Sequence, residues 1–329
     1  GLFAGAVIDA SGSAGGGEVL VGGDFQGANA DIANATATYV DRSAAITADA
    51  VTAGNGGKVI VWADGTTGFN GEISARGGSV AGDGGFVETS GKNFVEVRGG
   101  VNASAPRGKA GNWLIDPSDI TIVNAGPANG AFDGGSPENL FTPGANDAVA
   151  DVTTIQNSLN SGTDVKITTT GAGGQDGHIT VADSIALTSA GGATLTLDAD
   201  DDIFVNAAIS ATVQALNVSL IARNGNAADG TDNVAINDAV SLNGGTLDIT
   251  ADGAVTQSGT GIITADTLSI TNTGGDTTLD LANTVANLGA SDFTGRTAAV
   301  TVTGALHVES VAGAASFTVT AGDNVDVGS

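Results

Sequence analysis

Two short phrases alternate through the first third of the chain and keep step with each other. One is an aliphatic residue, any residue, then alanine: Ile8-Asp9-Ala10, Ile46-Thr47-Ala48, Ile73-Ser74-Ala75 and Val101-Asn102-Ala103. The other is a glycine, one residue, then an apolar run: GEVLV (17–21), GKVIV (57–61), GFVET (85–89) and GNWLI (111–115). The first recurs at spacings of 38, 27 and 28 residues, the second at 40, 28 and 26. One repeat of about 27 residues carrying two strands satisfies both series, and periods of that size mark solenoids. The first copy is longer, and DFQGANADIANATATY (24–39) supplies the excess as an excursion loop.

The second half keeps the alternation with a looser period. VKITTT (165–170), HITVAD (178–183), ATLTLDA (193–199), LNVSLIA (216–222), TLDITA (246–251), TLSITN (267–272) and AVTVTG (299–304) all alternate apolar with polar residues. That is the pattern of strands with one buried face. Gly-Gly, Asn-Gly and Asp-Gly pairs punctuate them as turns. Helical spacing is confined to DVTTIQNSLNSG (151–162), where Ile155 and Leu159 are four apart, Asp151 is placed to cap and Gly162 to terminate. One short helix is expected over 151–161.

A sandwich or barrel and a solenoid both suit many short strands with glycine-rich turns. Recurrence of one two-strand unit favours the solenoid. The interior of a narrow coil needs small and β-branched side chains, and the composition provides them: 52 glycines in 329 residues, 4% aromatics and no methionine. The expected fold is all-β, a parallel β-helix of about 12–13 rungs, given rungs of roughly 25 residues. All five prolines, Pro106, Pro117, Pro127, Pro137 and Pro143, fall within 38 residues. Proline cannot donate to a strand ladder. The expected division is therefore repeats over 1–123, a loop-rich junction over 124–150 containing Pro127, Pro137 and Pro143, and looser repeats over 151–329.

Acidic residues outnumber basic ones 36 to 10, a net charge of −26. Such a surface repels phosphate backbones and anionic headgroups, so nucleic-acid partners are not expected. No apolar run approaches the roughly 18 residues that span a bilayer, so membrane insertion is not expected. The absence of cysteine rules out a disulfide framework and thiol chemistry. A first residue in mid-pattern, with no basic leader, reads as a piece of something longer.

Few residues suggest chemistry. His178 and His307 lie on expected strands without a second histidine near in sequence. Asp198, Asp200, Asp201 and Asp202 form the one dense acidic cluster, DADDD, in which Asp198, Asp200 and Asp202 alternate. On a strand they would share a face and could hold Ca²⁺ through oxygen ligands; a solvated turn is the plainer reading. No catalytic or cofactor-binding residue is assigned. A β-helix lyase would need cations to grip acidic sugars, yet after Lys166 only Arg223 and Arg296 are basic. Paired-carboxylate hydrolysis stays open because so many acids always offer some pair. Trp62 and Trp113 follow equivalent glycine phrases, either as sugar platforms or as large side chains filling the coil. Asp116 and Asp119 are expected to turn around Pro117.

The stretch 56–122, from GGKVIVWADGTTGFNG to GNWLIDPSDITI, resembles the filamentous-haemagglutinin-like family of large bacterial exoproteins, the secreted partners of two-partner secretion systems. The closing phrase, aromatic-Leu-aliphatic-Asp-Pro-x-Asp-Ile-Thr-Ile, recurs in that family, preceded by phrases like GGEVLVGGDFQG (16–27). The likeness covers about the first 123 residues; the remainder is similar only in style. It implies a right-handed parallel β-helix, passage through an outer-membrane secretion pore, and a place at the cell surface of a Gram-negative-type bacterium. Lack of cysteine suits such export. The implied role is a structural shaft of a surface adhesin or extracellular-matrix filament, without catalysis. Its partners would be neighbouring repeats or like subunits, and cell-surface or matrix glycans and proteins. The alternatives are a subunit of an end-to-end homopolymeric filament and a carbohydrate-active β-helix enzyme. Acids gathered with Trp62 or Trp113 in one groove would favour the enzyme.

Overall fold

The computed structural model describes residues 1–124, 130–132, 141–143, 148–170, 175–189, 192–223 and 232–328. Half of the chain is strand and 4% is helix, and the strands stack in parallel around an axis. The fold is a parallel β-helix. The chain divides into two compact units, Gly1–Gln175 and Asp176–Ser329. Most of the junction with Pro127 and Pro137 lies outside the described residues.

In the first unit each coil carries three strands, one on each face. The first coil holds β1 (Val7–Asp9), β2 (Glu18–Val21) and β3 (Ala37–Val40). The second holds β4 (Ala45–Thr47), β5 (Lys58–Ala63) and β6 (Thr66–Phe69), and the third β7 (Glu72–Ser74), β8 (Phe86–Gly91) and β9 (Phe94–Val97). The fourth begins with β10 (Gly100–Asn102), β11 (Asn112–Ile115) and β12 (Ile120–Val123). Cα partners reproduce the sequence repeat: Ile8 faces Ile46, Ile46 faces Ile73, and Ile73 faces Val101. On the next face Glu18 faces Lys58, Lys58 faces Phe86, and Phe86 faces Asn112. The excursion is shorter than expected, because β3 begins at Ala37. Its Thr38 and Val40 point inward, and the third face needs them in the core.

The two phrases are the two sides of one corner. The amides of Gly17, Gly57, Gly85 and Gly111 donate to the carbonyls of Ala10, Ala48, Ala75 and Ala103 at 2.7–2.8 Å. A Cβ on Gly16, Gly56 or Gly84 would overlap the carbonyl of Ala48, Ala75 or Ala103 on the following coil. The paired glycines are thus required by stacking distance, and Ala48, Ala75 and Ala103 have no exposed surface. Identical packing at the same place in every coil is what gives the sequence its period.

Interior side chains form ladders. Val19, Val59, Val87 and Trp113 stack along the second face, and Val40, Phe69 and Val97 along the third. Thr38 and Thr67 are buried, and their hydroxyls donate to the carbonyls of Trp62 and Ser90 at 2.7 Å. Each closes the bend between second-face and third-face strands and satisfies a buried acceptor.

The fourth coil departs from simple stacking. The junction returns a strand, Ala148–Asp151, that pairs with β12 on one edge and β9 on the other. Ile120 therefore faces Ala148 and not the third coil, while Val149 faces Glu96. Two short strands of the junction, β13 (Gly130–Phe132) and β14 (Phe141–Pro143), form an antiparallel pair. With Ala148–Asp151 as β15, the expected helix follows as α1 (Val152–Asn160). The Asp151 carboxylate accepts the Thr153 and Thr154 amides at 2.9 and 3.2 Å. Ile155 and Leu159 are fully buried, and Gly162 turns the chain at φ 86°. The helix packs against β10 and so ends the four-stranded first face. The chain then returns to the second face as β16 (Asp164–Thr168), paired with β11.

The second unit repeats the three-face coil with less regularity. On one face Ile179 faces Ile203, then Val234, Val255, Thr277, Ala298 and Phe317 follow in register. The offsets fall from 24 and 31 residues to 21, 22, 21 and finally 19. The 31-residue coil contains 224–231, outside the described residues. Leu195, Val218, Leu247 and Leu268 make the matching ladder of another face. Turns vary in length here while most inward positions stay apolar, Thr277 being a polar member of the ladder, which is why the sequence period loosens without losing its alternation.

Candidate functional site

Outward residues of a solenoid strand normally face water. Beyond the first residues of β5, β8 and β11 they do not: Ile60, Trp62, Glu88, Ser90, Leu114 and, just past β11, Asp116 are all buried. The cover is the first-coil excursion. Asp24 caps a short turn, Phe25–Gly27, by accepting the Phe25 amide at 2.7 Å. It also takes Lys58 Nζ of β5 at 2.6 Å and Asn29 Nδ2 at 2.8 Å, while Lys58 reaches Glu18 at 3.0 Å. The Asn29 and Lys58 side-chain bonds, with the Phe25 amide, hold the Asp24 carboxyl well below the usual range. The Phe25 ring meets the Phe86 ring edge-on at 5.7 Å.

Gln26 is the centre of the contact. Its backbone is left-handed, φ 49°, which turns its amide down onto Glu88 at 3.2 and 3.3 Å from the two carboxylate oxygens. Its side-chain amide donates to Asp116 Oδ2 at 2.8 Å. One loop residue therefore ties down acids from two successive coils. Glu88 has no exposed surface. Burial pushes its carboxyl up to about 7, with nearby Asp116 adding to the rise and the Gln26 and Ser90 bonds and Lys58 opposing it.

Farther along, Gly23 and Gly27 lie so close to the Trp62 indole that a Cβ on either would overlap it. Asn34 Nδ2 bridges the Gly27 carbonyl and Asp64 Oδ1, both at 2.9 Å, and Trp62 Nε1 donates to the same Asp64 oxygen at 3.2 Å. Between the loop and the coils lies a cleft of about 440 Å³, lined among others by Gln26, Trp62, Asp64, Lys92 and Asp116.

The cleft does gather acids beside Trp62. Chemically, however, Asp116 and Asp64 accept bonds that seat the loop, Glu88 is closed off beneath Gln26, and Trp62 keeps 4% of its surface. A sugar ring has no free indole face to stack on while the loop is down. Trp113 is wholly enclosed inside the coil, its Nε1 donating to Thr89 Oγ1 at 2.9 Å. It fills the interior. Asp116 turns toward Gln26, so its part at Pro117 is to anchor the loop.

The acidic cluster of the second unit straddles a corner. Its strand Thr194–Ala199 ends after Asp198, and the next strand begins at Ile203. Asp202 accepts the Asn233 backbone amide and Nδ2 at 2.7 and 2.9 Å, bridging to the following coil. The residues that do converge are Asp176, His178 and Asp201, whose ligand atoms lie within 4.8 Å of one another. His178 Nδ1 accepts the Asp202 amide at 3.3 Å. The same Nδ1 lies 3.7 Å from Asp201 Oδ2, and Nε2 lies 3.9 Å from Asp176 Oδ2. The ring also meets Phe204 edge-on. The three side chains and the Asp202 amide meet at a hydrogen-bonded corner of the coil. His307 is exposed and lies 3.0 Å from Asp326.

Sequence reading passed over Glu88 and Gln26. A signal was present: Glu88 occupies an outward position whose strand neighbours in register are Ile60 and Leu114. Two large aliphatic residues on an outer face indicate cover, and the long first repeat is what provides it.

No protein-family model matches the chain, and no curated protein matches it significantly.

Proposed function

We propose that this chain is a stiff shaft segment of a large secreted bacterial surface protein, an adhesin or matrix filament of the filamentous-haemagglutinin-like kind, and that it performs no catalysis. The observation that carries the reading is the stack itself. In the first unit the same corner and the same inward ladder return in register from coil to coil, and the same glycine pair returns through the first three coils. Each added coil extends the ladder of main-chain bonds, and stiffness is a direct product of that repetition. The resemblance of residues 56–122 to that exoprotein family supports the placement at a cell surface. Immunogold imaging with an antibody to the 24–36 loop tests it. Label along filaments projecting from producing cells is the expected result, and label confined to the cytoplasm or to free small particles would overturn it.

A carbohydrate-active role is the second reading, favoured by the cleft that brings Asp64 and Asp116 beside Trp62. Release of reducing ends from a panel of neutral and acidic polysaccharides, abolished by Asp116→Asn, would establish it in place of the shaft.

A further inference from the structure

We propose that the loop spanning 24–35 is a proton-dependent strap, seated over Glu88 while that carboxyl holds a proton and loosened when it ionises.

The geometry makes the demand. Two carboxyl groups from adjacent coils, Glu88 on β8 and Asp116 just past β11, are buried under one residue, Gln26. Among the described residues the groups facing Glu88 are few. From its own strand comes the Ser90 hydroxyl; from β5 come Ile60 and, at one remove, Lys58; from the β11 side come Leu114 and Asp116; from the loop come Gln26 and Asp24. Lys58 already spends its ammonium on Asp24 and Glu18, and Lys92 stands exposed at the cleft that Asp116 lines. A backbone amide is therefore the donor that Glu88 receives from the loop. Two neighbouring carboxylates cannot both be charged there without a heavy desolvation and repulsion cost, so one proton is retained in the seated state. Lifting the loop gives Glu88 to water and lets the proton go.

The direction follows. Seated, the Glu88 carboxyl stands at about 7, against 4.5 for a free glutamate. A group whose proton affinity is raised in the closed state stabilises that state fully at pH below the free value. The stabilisation is lost as pH rises through about 7, so the strap is tightest in acid and loosest above neutrality. Between those limits the closed-to-open ratio falls about tenfold per pH unit, on the order of 300-fold in all. Asp24 and its bonds to Asn29 and Lys58 remain in place across this range and keep the loop's near end tethered, so opening is a hinged release of Gln26 onward.

Amide hydrogen exchange on the full chain, read by mass spectrometry over 24–35 and corrected for the intrinsic pH dependence of exchange, is the test. Protection is expected to fall by two orders of magnitude or more between pH 4.5 and pH 8, while the β5 amides stay unchanged. Glu88→Gln keeps an acceptor for the Gln26 amide without a titrating proton, and its protection is expected to be high and flat with pH. A flat profile in the parent protein, or the same slope in E88Q, would overturn the strap. Should E88Q fold poorly, acrylamide quenching of Trp62 in Trp113→Phe provides the second reading: accessibility rising through pH 7 supports release, and constant accessibility refutes it.

Discussion

Ala48 and Gly57 close one coil corner: the Gly57 amide donates to the Ala48 carbonyl at 2.7 Å, and Ala75 and Gly85 repeat the bond one coil later. The residue before each such glycine sits against the carbonyl of the following coil. A single methyl at Gly56 would overlap the Ala75 oxygen, and backbone is the neighbour that cannot move aside. Gly56→Ala is therefore expected to cost about 1–3 kcal/mol by overpacking. Chemical denaturation of the purified chain measures it, and a midpoint equal to the parent's would contradict the corner.

Trp113 fills the second-face interior with its one polar atom satisfied by Thr89. Trp113→Ala is expected to destabilise by about 3–5 kcal/mol through the cavity and the orphaned hydroxyl. Thr89→Val, which removes only the acceptor, should cost about 1 kcal/mol. Comparable losses for the two variants would show that the indole is not packed as described.

Asp151 is both the last residue of β15 and the cap of α1. Replacing it with alanine leaves two helix amides without their partner and is expected to cost about 1 kcal/mol. Faster amide exchange confined to 152–156 is the signature to seek; uniform change across the unit would argue against a capping role.

Asp49 and Arg76 join the second and third coils through Nη2 and Nε at 2.6 and 2.9 Å, with Ser74 Oγ at 2.6 Å and the Arg76 amide at 2.8 Å. Burial pushes the Asp49 carboxyl upward, but the Arg76 and Ser74 bonds outweigh it and hold it below 3.8. Its contribution is thus complete above the ordinary aspartate range and disappears as pH falls through the lowered value, opposite in sign to Glu88. Arg76 is half-exposed, so Arg76→Met is expected to cost only about 1 kcal/mol at pH 7. That difference should shrink as pH is lowered below the ordinary aspartate range in a series of denaturation curves; a difference that does not shrink would mean that packing and not charge is responsible.

Much of the fold was written in the repeat. Ile8, Ile46, Ile73 and Val101 are spaced in sequence as they are stacked in space, because equivalent corners demand equivalent residues. The helix was legible from Asp151, Ile155, Leu159 and Gly162, each of which plays its expected part. The insertion of 148–151 between the third and fourth coils was not, since strand order is set by long-range pairing that leaves no local pattern. The loop site was hidden for a related reason. Gln26 and Glu88 are 62 residues apart, and alternation shows which side a residue faces but not whether another segment covers that side. The aspartates of DADDD, for which a turn was the plainer expectation, lie across a corner that bends at Asp200, and the side chains that converge there are Asp201 and the earlier Asp176 and His178.

The return of β15 also sets an order of events. Coils one to three can be laid down as the chain arrives, each needing only its predecessor as template. At Ile120 that stops: β12 has its partner at Ala148, and β9 has its own at Val149. A chain folding from its first coil must leave β9 and β12 apart on the third face until 148–151 slot between them. At that point, after the regular coils, stacking of each coil on its predecessor gives way to the closure of a long loop, which contact order makes the slower kind of step.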